Sequence, residues 1–250
     1  SSFSMIVLEK ELSKPYEMID MVTTPDGSLV AMVHCNNCTS DLNAWVNLFK
    51  EYQELLGIPV DMDELYGKLY NIALTGDTDC GGLLSYNYIS GEPVTGLAEG
   101  RPLFVRSAND KFNLANFMRA HLYASVGVLK IGNDILFNEE KIKVDRITGH
   151  GGLFRTKGVG QRVLAAAINS PISVMETAGE GGAWGIALLG SYLVNNKKGQ
   201  SLADFLDESV FVSDAGVEVS PTPEDVAGFN TYIENYKAGL PIEEAAVKFK

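Results

Sequence analysis

The spacing of apolar positions changes several times along the chain. Residues 3–8 are β-rich, and residues 16–34, YEMIDMVTTPDGSLVAMVH, carry two more β-rich runs around Pro25-Asp26-Gly27. This pattern predicts a strand followed by a hairpin, because Asp-Gly suits the left-handed backbone of a tight turn. Past Thr39 and Ser40 the period lengthens. Leu42, Trp45, Val46, Phe49, Tyr52 and Leu56 share one helical face, and Gly57 ends it. Asp61 and Glu64 stand at capping-box spacing ahead of a helix carrying Leu65, Leu69, Ile72 and Ala73. GGLLSYNYISGE (81–92) reads as a strand running into a loop, and ANFMRAHLYASVGVLKIGNDIL (115–136) as a long helix. VDRITGHGG (144–152) is a strand ending in glycines. QRVLAAAI (161–168) is a helix, ISVM (172–175) a strand, and GGAWGIALLGSYLV (181–194) a helix rich in small residues. Thr222-Pro223-Glu224-Asp225 starts a last helix with Phe229, Tyr232, Ile233 and Tyr236 on one face. Three antiparallel strands, helices, then strand–helix–strand–helix describe an α/β domain with a mixed sheet. No repeat and no low-complexity linker interrupts it.

Composition narrows the functional classes. With 46% hydrophobic residues in 250, the chain can bury a full core, and 21% charged residues argue against disorder. A net charge of −12 and a pI near 4.7 disfavour nucleic acid as a partner. No apolar run is long enough to cross a bilayer, and no basic, apolar N-terminal signal is present. Cys35 and Cys38 form a CxxC, with Cys80 apart. The pattern is compatible with half a zinc site, for which only Cys80, His34, His121 and His150 remain as further ligands, or with a redox pair. Our reading is reduced thiols in a cytoplasmic setting, with no bound metal and no obligatory disulfide.

Glycine clusters carry the strongest chemical signal. GHGGLF (149–154) and GEGGAW (179–184) both fail the dinucleotide fingerprint, since Phe154 and Trp184 occupy the sixth position. No GxxxxGK[ST] phosphate loop exists. Two readings of residues 149–152 stay open: a ligand lying against bare backbone, or plain turn chemistry. Gly182, Ala183, Gly185 and Ala187 read as close packing of a helix on the sheet. Asp77 and Asp79 read as turn residues before Gly81-Gly82, with water-mediated Mg²⁺ binding as the competing role. His121, on an apolar helix, reads as structural, and His150 as a hydrogen-bonding loop residue.

Several segments, in order, resemble the C-terminal domain of the FGGY carbohydrate kinases. They are SSFSM at the start, GLLSYNYISGE (82–92), NLANFMRAHLYASVGVLK (113–130), GHGGLF with QRVLAAAINSPI behind it, and EGGAWGIAL (180–188). The departures are His150 inside the glycines, Leu153-Phe154 in place of a small residue, about two extra residues before the helix, and Asn87 before Tyr88. The resemblance implies a ribonuclease-H-like, actin-like ATPase domain over 1–250, with 222–250 a C-terminal helical extension. It implies ATP with Mg²⁺, and phosphorylation of a sugar, a pentulose such as xylulose. Ser1, Ser2, Gly82, Gly149, Gly151, Gly152, Leu153 and Phe154 become the nucleotide-binding residues, with Leu153 or Phe154 an apolar wall for adenine.

No catalytic residue and no metal ligand is assigned. The resemblance implies that the family's catalytic aspartate lies upstream of Ser1, because SSFSM resembles the strand after the family's Gly-Thr turn and the aspartate precedes that turn. The chain alone is then expected to be inactive. Loops 36–40, 81–92 and 149–154 are expected to face a sugar-binding domain and to expose Tyr88, Leu153 and Phe154, a surface on which two copies would associate as a homodimer. A non-catalytic nucleotide-binding or protein-interaction module on the same fold is the second reading.

Overall fold

The computed structural model describes residues 1–175, 181–211 and 216–249. Strand β1 (Ser2–Val7) pairs antiparallel with β3 (Leu29–Cys35), and β2 (Asp20–Thr23) pairs with the other edge of β3. The β2–β3 turn closes through Gly27 N–H to the Thr24 carbonyl at 2.9 Å, with Gly27 at φ +93°. Helix α1 spans Ser40–Leu55 and α2 Met62–Ala73, whose Asp61 cap accepts from the Glu64 N–H at 3.0 Å. Strands β4 (Leu84–Tyr86) and β5 (Leu103–Val105) form a two-stranded ladder. Helix α3 (Leu114–Asp134) follows and is buried along most of its length. Then come β6 (Ile147–Thr148), α4 (Val159–Ile168), β7 (Ile172–Val174), α5 (Gly181–Asn195), α6 (Leu202–Ser209), β8 (Val217–Val219) and α7 (Pro223–Val247). None of the helices among the described residues is long and apolar enough to cross a membrane.

The α/β pattern holds, but the strands are distributed over three small sheets: β1-β3-β2, β4-β5 and β6-β7-β8. Strand β6 runs parallel to β7, and β8 antiparallel to β7. Among the described residues no ladder joins β1 to β6. Two residues offer a short edge, and the glycines after Thr148 turn the chain away.

Helix α3 is the centre of the core. It presents Met118, Leu122 and Val126 to the interior, and Gly132 sits where any Cβ would collide with Val33 of β3. Helix α7 buries its predicted face: Tyr236 packs at a tilt against Tyr86 at 4.7 Å between centroids, and Phe229 against Tyr123 at 4.4 Å. An ion-pair cluster adds to this, with Asp225 of α7 held by Arg119 of α3 and Arg162 of α4.

Two expectations need correction. Helix α5 does not use its small residues to approach a sheet. Among the described residues a Cβ on Gly182, Gly185 or Gly190 would meet nothing within 4 Å, and Ile186, Leu193 and Val194 are exposed. Tyr88 is not an exposed cleft residue: two residues past the end of β4, it is fully buried against Tyr236 of α7.

Candidate functional site

A cleft of about 1420 Å³ opens between β1, the C-terminal end of α3, the segment 140–154 and the first turn of α5. Its shape follows from the 149–154 loop. The Gly149 N–H donates to the Ser173 carbonyl at 2.8 Å, which pins the loop to β7. Gly151, at φ +107°, reverses the chain, a conformation that a side chain would strain. A single 3₁₀ turn over Gly152–Phe154 follows, and the Phe154 N–H donates to the Gly151 carbonyl at 3.1 Å.

The glycines divide by role. A Cβ on Gly149 would lie 2.5 Å from the Phe154 ring, and one on Gly160 would lie 2.5 Å from the Leu153 carbonyl oxygen. These two are bare because the loop packs on itself and on α4. Among the described residues a Cβ on Gly151 or Gly152 would meet nothing within 4 Å, so their faces are open to the cleft. His150 rests against Gly181, where a Cβ would come within 2.9 Å of it, and so joins the loop to the start of α5.

The residues read from the sequence fall into two groups. Ser1, Ser2, Gly149, Gly151, Gly152, Leu153 and Phe154 all line this cleft. Gly82 does not. It lies in the 3₁₀ turn Cys80–Gly82, where a Cβ would meet the Asp110 carboxylate at 2.6 Å. Its bare face is spent on packing. Ser2 pairs with Cys35 across the ladder, and its hydroxyl is buried. Glu180 of the EGGAWGIAL segment lies outside the described residues.

Other candidates resolve into structural tasks. Asp77 accepts from Lys111 Nζ and Asn116 Nδ2, each at 2.9 Å, and Asp79 accepts from the Gly81 N–H at 2.9 Å. Both therefore hold the turn. Cys35, Cys38 and Cys80 are free, and burial pushes the thiols of Cys35 and Cys38 up, away from the reactive thiolate. The sequence reading gave no role to Glu92, although it quoted the segment. Fully buried, Glu92 accepts from the Asn36 N–H at 3.3 Å, the Asn37 N–H at 3.2 Å and Asn37 Nδ2 at 3.1 Å. It fixes the loop that carries Cys38 to the cleft wall.

Buried His121 contacts Ser85 Oγ through Nδ1 at 3.0 Å, with Asp41 Oδ2 3.5 Å from the same nitrogen. Nε2 meets no partner, and Phe117, Trp45 and Phe104 ring the imidazole. Serine and aspartate on one nitrogen do not make a nucleophilic relay, which needs them on opposite nitrogens. Burial holds His121 down at about 3, against 6.5 when unfolded. Between those values only the unfolded chain takes the proton. The contribution is thus complete above pH 6.5 and is lost as pH falls toward 3. From pH 7.5 to 4.5 the loss is about 2–3 kcal/mol. In urea titrations at both pH values, His121→Phe is expected to lose less stability than the parent on acidification. Equal losses in both proteins would contradict this.

The model of the FGGY family of carbohydrate kinases, C-terminal domain, matches residues 1–194. No curated protein matches the chain in sequence. Among solved structures, xylulose kinase from Rhodospirillum rubrum superposes with a TM-score of 0.67 at 17% identity, over 94% of this chain and 44% of that one. Ligand-bound xylulose kinase from Lactobacillus acidophilus gives 0.67 at 16%, over 95% and 45%. Plasmodium falciparum glycerol kinase with ADP gives 0.65 at 16%, over 96% and 45%. The chain thus spans under half the length of these kinases, and shares their actin-like fold.

Proposed function

The chain belongs to the FGGY family of carbohydrate kinases, matching its C-terminal domain, and from this premise we propose that it is the ATP-binding half of an enzyme that phosphorylates a sugar hydroxyl. The observation that carries the reading is the loop 149–154 on the cleft wall, where Gly151 and Gly152 leave backbone open to a flat ligand. A purine or ribose can approach such backbone closely because no Cβ intervenes. Leu153 supplies apolar surface beside it, the Phe154 ring covers Gly149 on the same wall, and Ser1 and Ser2 border the cleft at the end of β1. A pentulose such as xylulose is the proposed acceptor, a choice supported by the likeness to xylulose kinases.

ATP supplies the transferred phosphoryl group, and Mg²⁺ neutralises charge on its phosphates. No residue is assigned to the metal, since the described residues form no group of three or more His, Cys, Asp or Glu able to hold one. Transfer also needs an aligned acceptor and a base. We assign neither to this chain. The 250-residue chain is therefore expected to bind nucleotide without turning over sugar. Saturating ADP should raise its Tm, while a coupled assay with xylulose or glycerol stays at background. Turnover by the chain alone would contradict this division of labour, and an unmoved Tm would count against the nucleotide site.

A further inference from the structure

We infer that the Phe154 ring is a built-in occupant of the nucleotide's ring seat, and that an adenine nucleotide binds by displacing it. This rests on the reading of the cleft as a nucleotide site. The ring covers the bare face of Gly149, with Cζ 2.5 Å and Cε1 2.6 Å from the position a Cβ would take there. Gly149 is consequently buried although it faces a large cleft, whereas Phe154 itself is only half-buried. A flat apolar group therefore already lies on the backbone next to the open faces of Gly151 and Gly152.

The loop can release that ring at small cost. Gly151 and Gly152, two of the four residues that connect them, have no described atom within 4 Å of a built Cβ, so among the described residues nothing packs against these two from that side. The fixed points lie elsewhere: the Gly149 N–H is tied to Ser173, and the Leu153 carbonyl is seated against Gly160. With both anchors in place, rotation of the Phe154 side chain uncovers the Gly149 face while the turn is preserved. An adenine of similar flatness can then regain the apolar contact, and the displaced ring can border it. Binding in the parent chain thus carries the cost of expelling a competing aromatic contact.

The test uses ADP, with calorimetry on the parent and on Phe154→Ala, and the nuclear Overhauser contact between the Gly149 Hα and the Phe154 ring protons in the parent. The contact is expected without ligand and is expected to vanish at saturating ADP. Phe154→Ala is expected to bind ADP about three- to tenfold tighter, the equivalent of one aromatic contact. Binding by the variant alone, with none by the parent, overturns the inference, since the nucleotide then fails to displace the ring. ADP binding to the parent with the Gly149–Phe154 contact unchanged overturns it and leaves the nucleotide reading intact. Equal or weaker binding by a folded Phe154→Ala does the same. No binding by either protein overturns both. Should the variant fail to fold, the contact in the parent decides the matter by itself.

Discussion

Replacing Asp225 with alanine is expected to cost about 3–5 kcal/mol of stability, the range found when one member of a buried ion pair is removed. Asp225 is 1% exposed, and its Oδ1 accepts from Arg119 Nη2 at 2.6 Å while Oδ2 accepts from Arg162 Nε at 2.7 Å. Thr222 Oγ1 donates to Oδ2 at 2.9 Å and in return accepts from the Asp225 N–H at 3.1 Å, which caps α7. Burial pushes the carboxyl up, but hydrogen bonds from Arg162, Thr222 and Arg119 outweigh it and hold Asp225 below its ordinary value. Alanine would strand Arg119, itself 2% exposed, with only Tyr123 Oη and the Gly76 carbonyl as partners. It would also loosen α4, whose first residues carry the weight of the 149–154 loop. Urea unfolding followed by far-ultraviolet circular dichroism measures the effect. A loss below about 1 kcal/mol would mean that the cluster behaves like an exposed pair.

That cluster shows where sequence reading stops. The Thr222 start of α7 was legible, because Thr-Pro-Glu-Asp is a local capping signal. The attraction of Asp225 to Arg119 and Arg162 was not, since those residues lie 106 and 63 positions away in the chain. The same division runs through the fold. Hairpin, long helices and the α4–β7 unit follow from period and turn residues. Strands β5 and β8 were missed because each is three residues long: Leu-Phe-Val of β5 carries no alternation, and the single alternation of Val-Glu-Val in β8 is too short to stand out. Helix α6 was missed although Ser201 and Asp204 form a complete capping box, a signal that was present and unused.

At the candidate site, clustered glycines pointed to a loop that lines the cleft but could not apportion the roles. Whether a glycine is bare for a ligand, for a turn or for a neighbouring ring depends on what folds over it. Gly82 and Gly149 prove to be packed by Asp110 and Phe154, while Gly151 and Gly152 are open. Gln161 illustrates the same limit. It was quoted within a motif, and only the folded chain shows its Nε2 bridging the Ile172 and Val217 carbonyls at 2.9 and 2.6 Å.

The second large effect concerns Gly152. A Cβ there meets no described atom within 4 Å and no left-handed backbone, so Gly152→Leu is expected to fold like the parent. Its branched side chain would instead project into the cleft beside Gly151. Gly151 is the poorer probe, because its φ of +107° would add strain to any substitution and confuse a binding defect with a folding one. If an adenine nucleotide uses this backbone, Gly152→Leu loses at least about tenfold in affinity, which corresponds to about 1.4 kcal/mol.

Calorimetric titration of ADP into the folded 250-residue chain and into Gly152→Leu tests the nucleotide cleft most directly. The account predicts saturable binding by the parent and at least about a tenfold loss in the variant, with matching circular dichroism and Tm for the two proteins without ligand. No binding by the folded parent, or equal affinity in the two proteins, would contradict it.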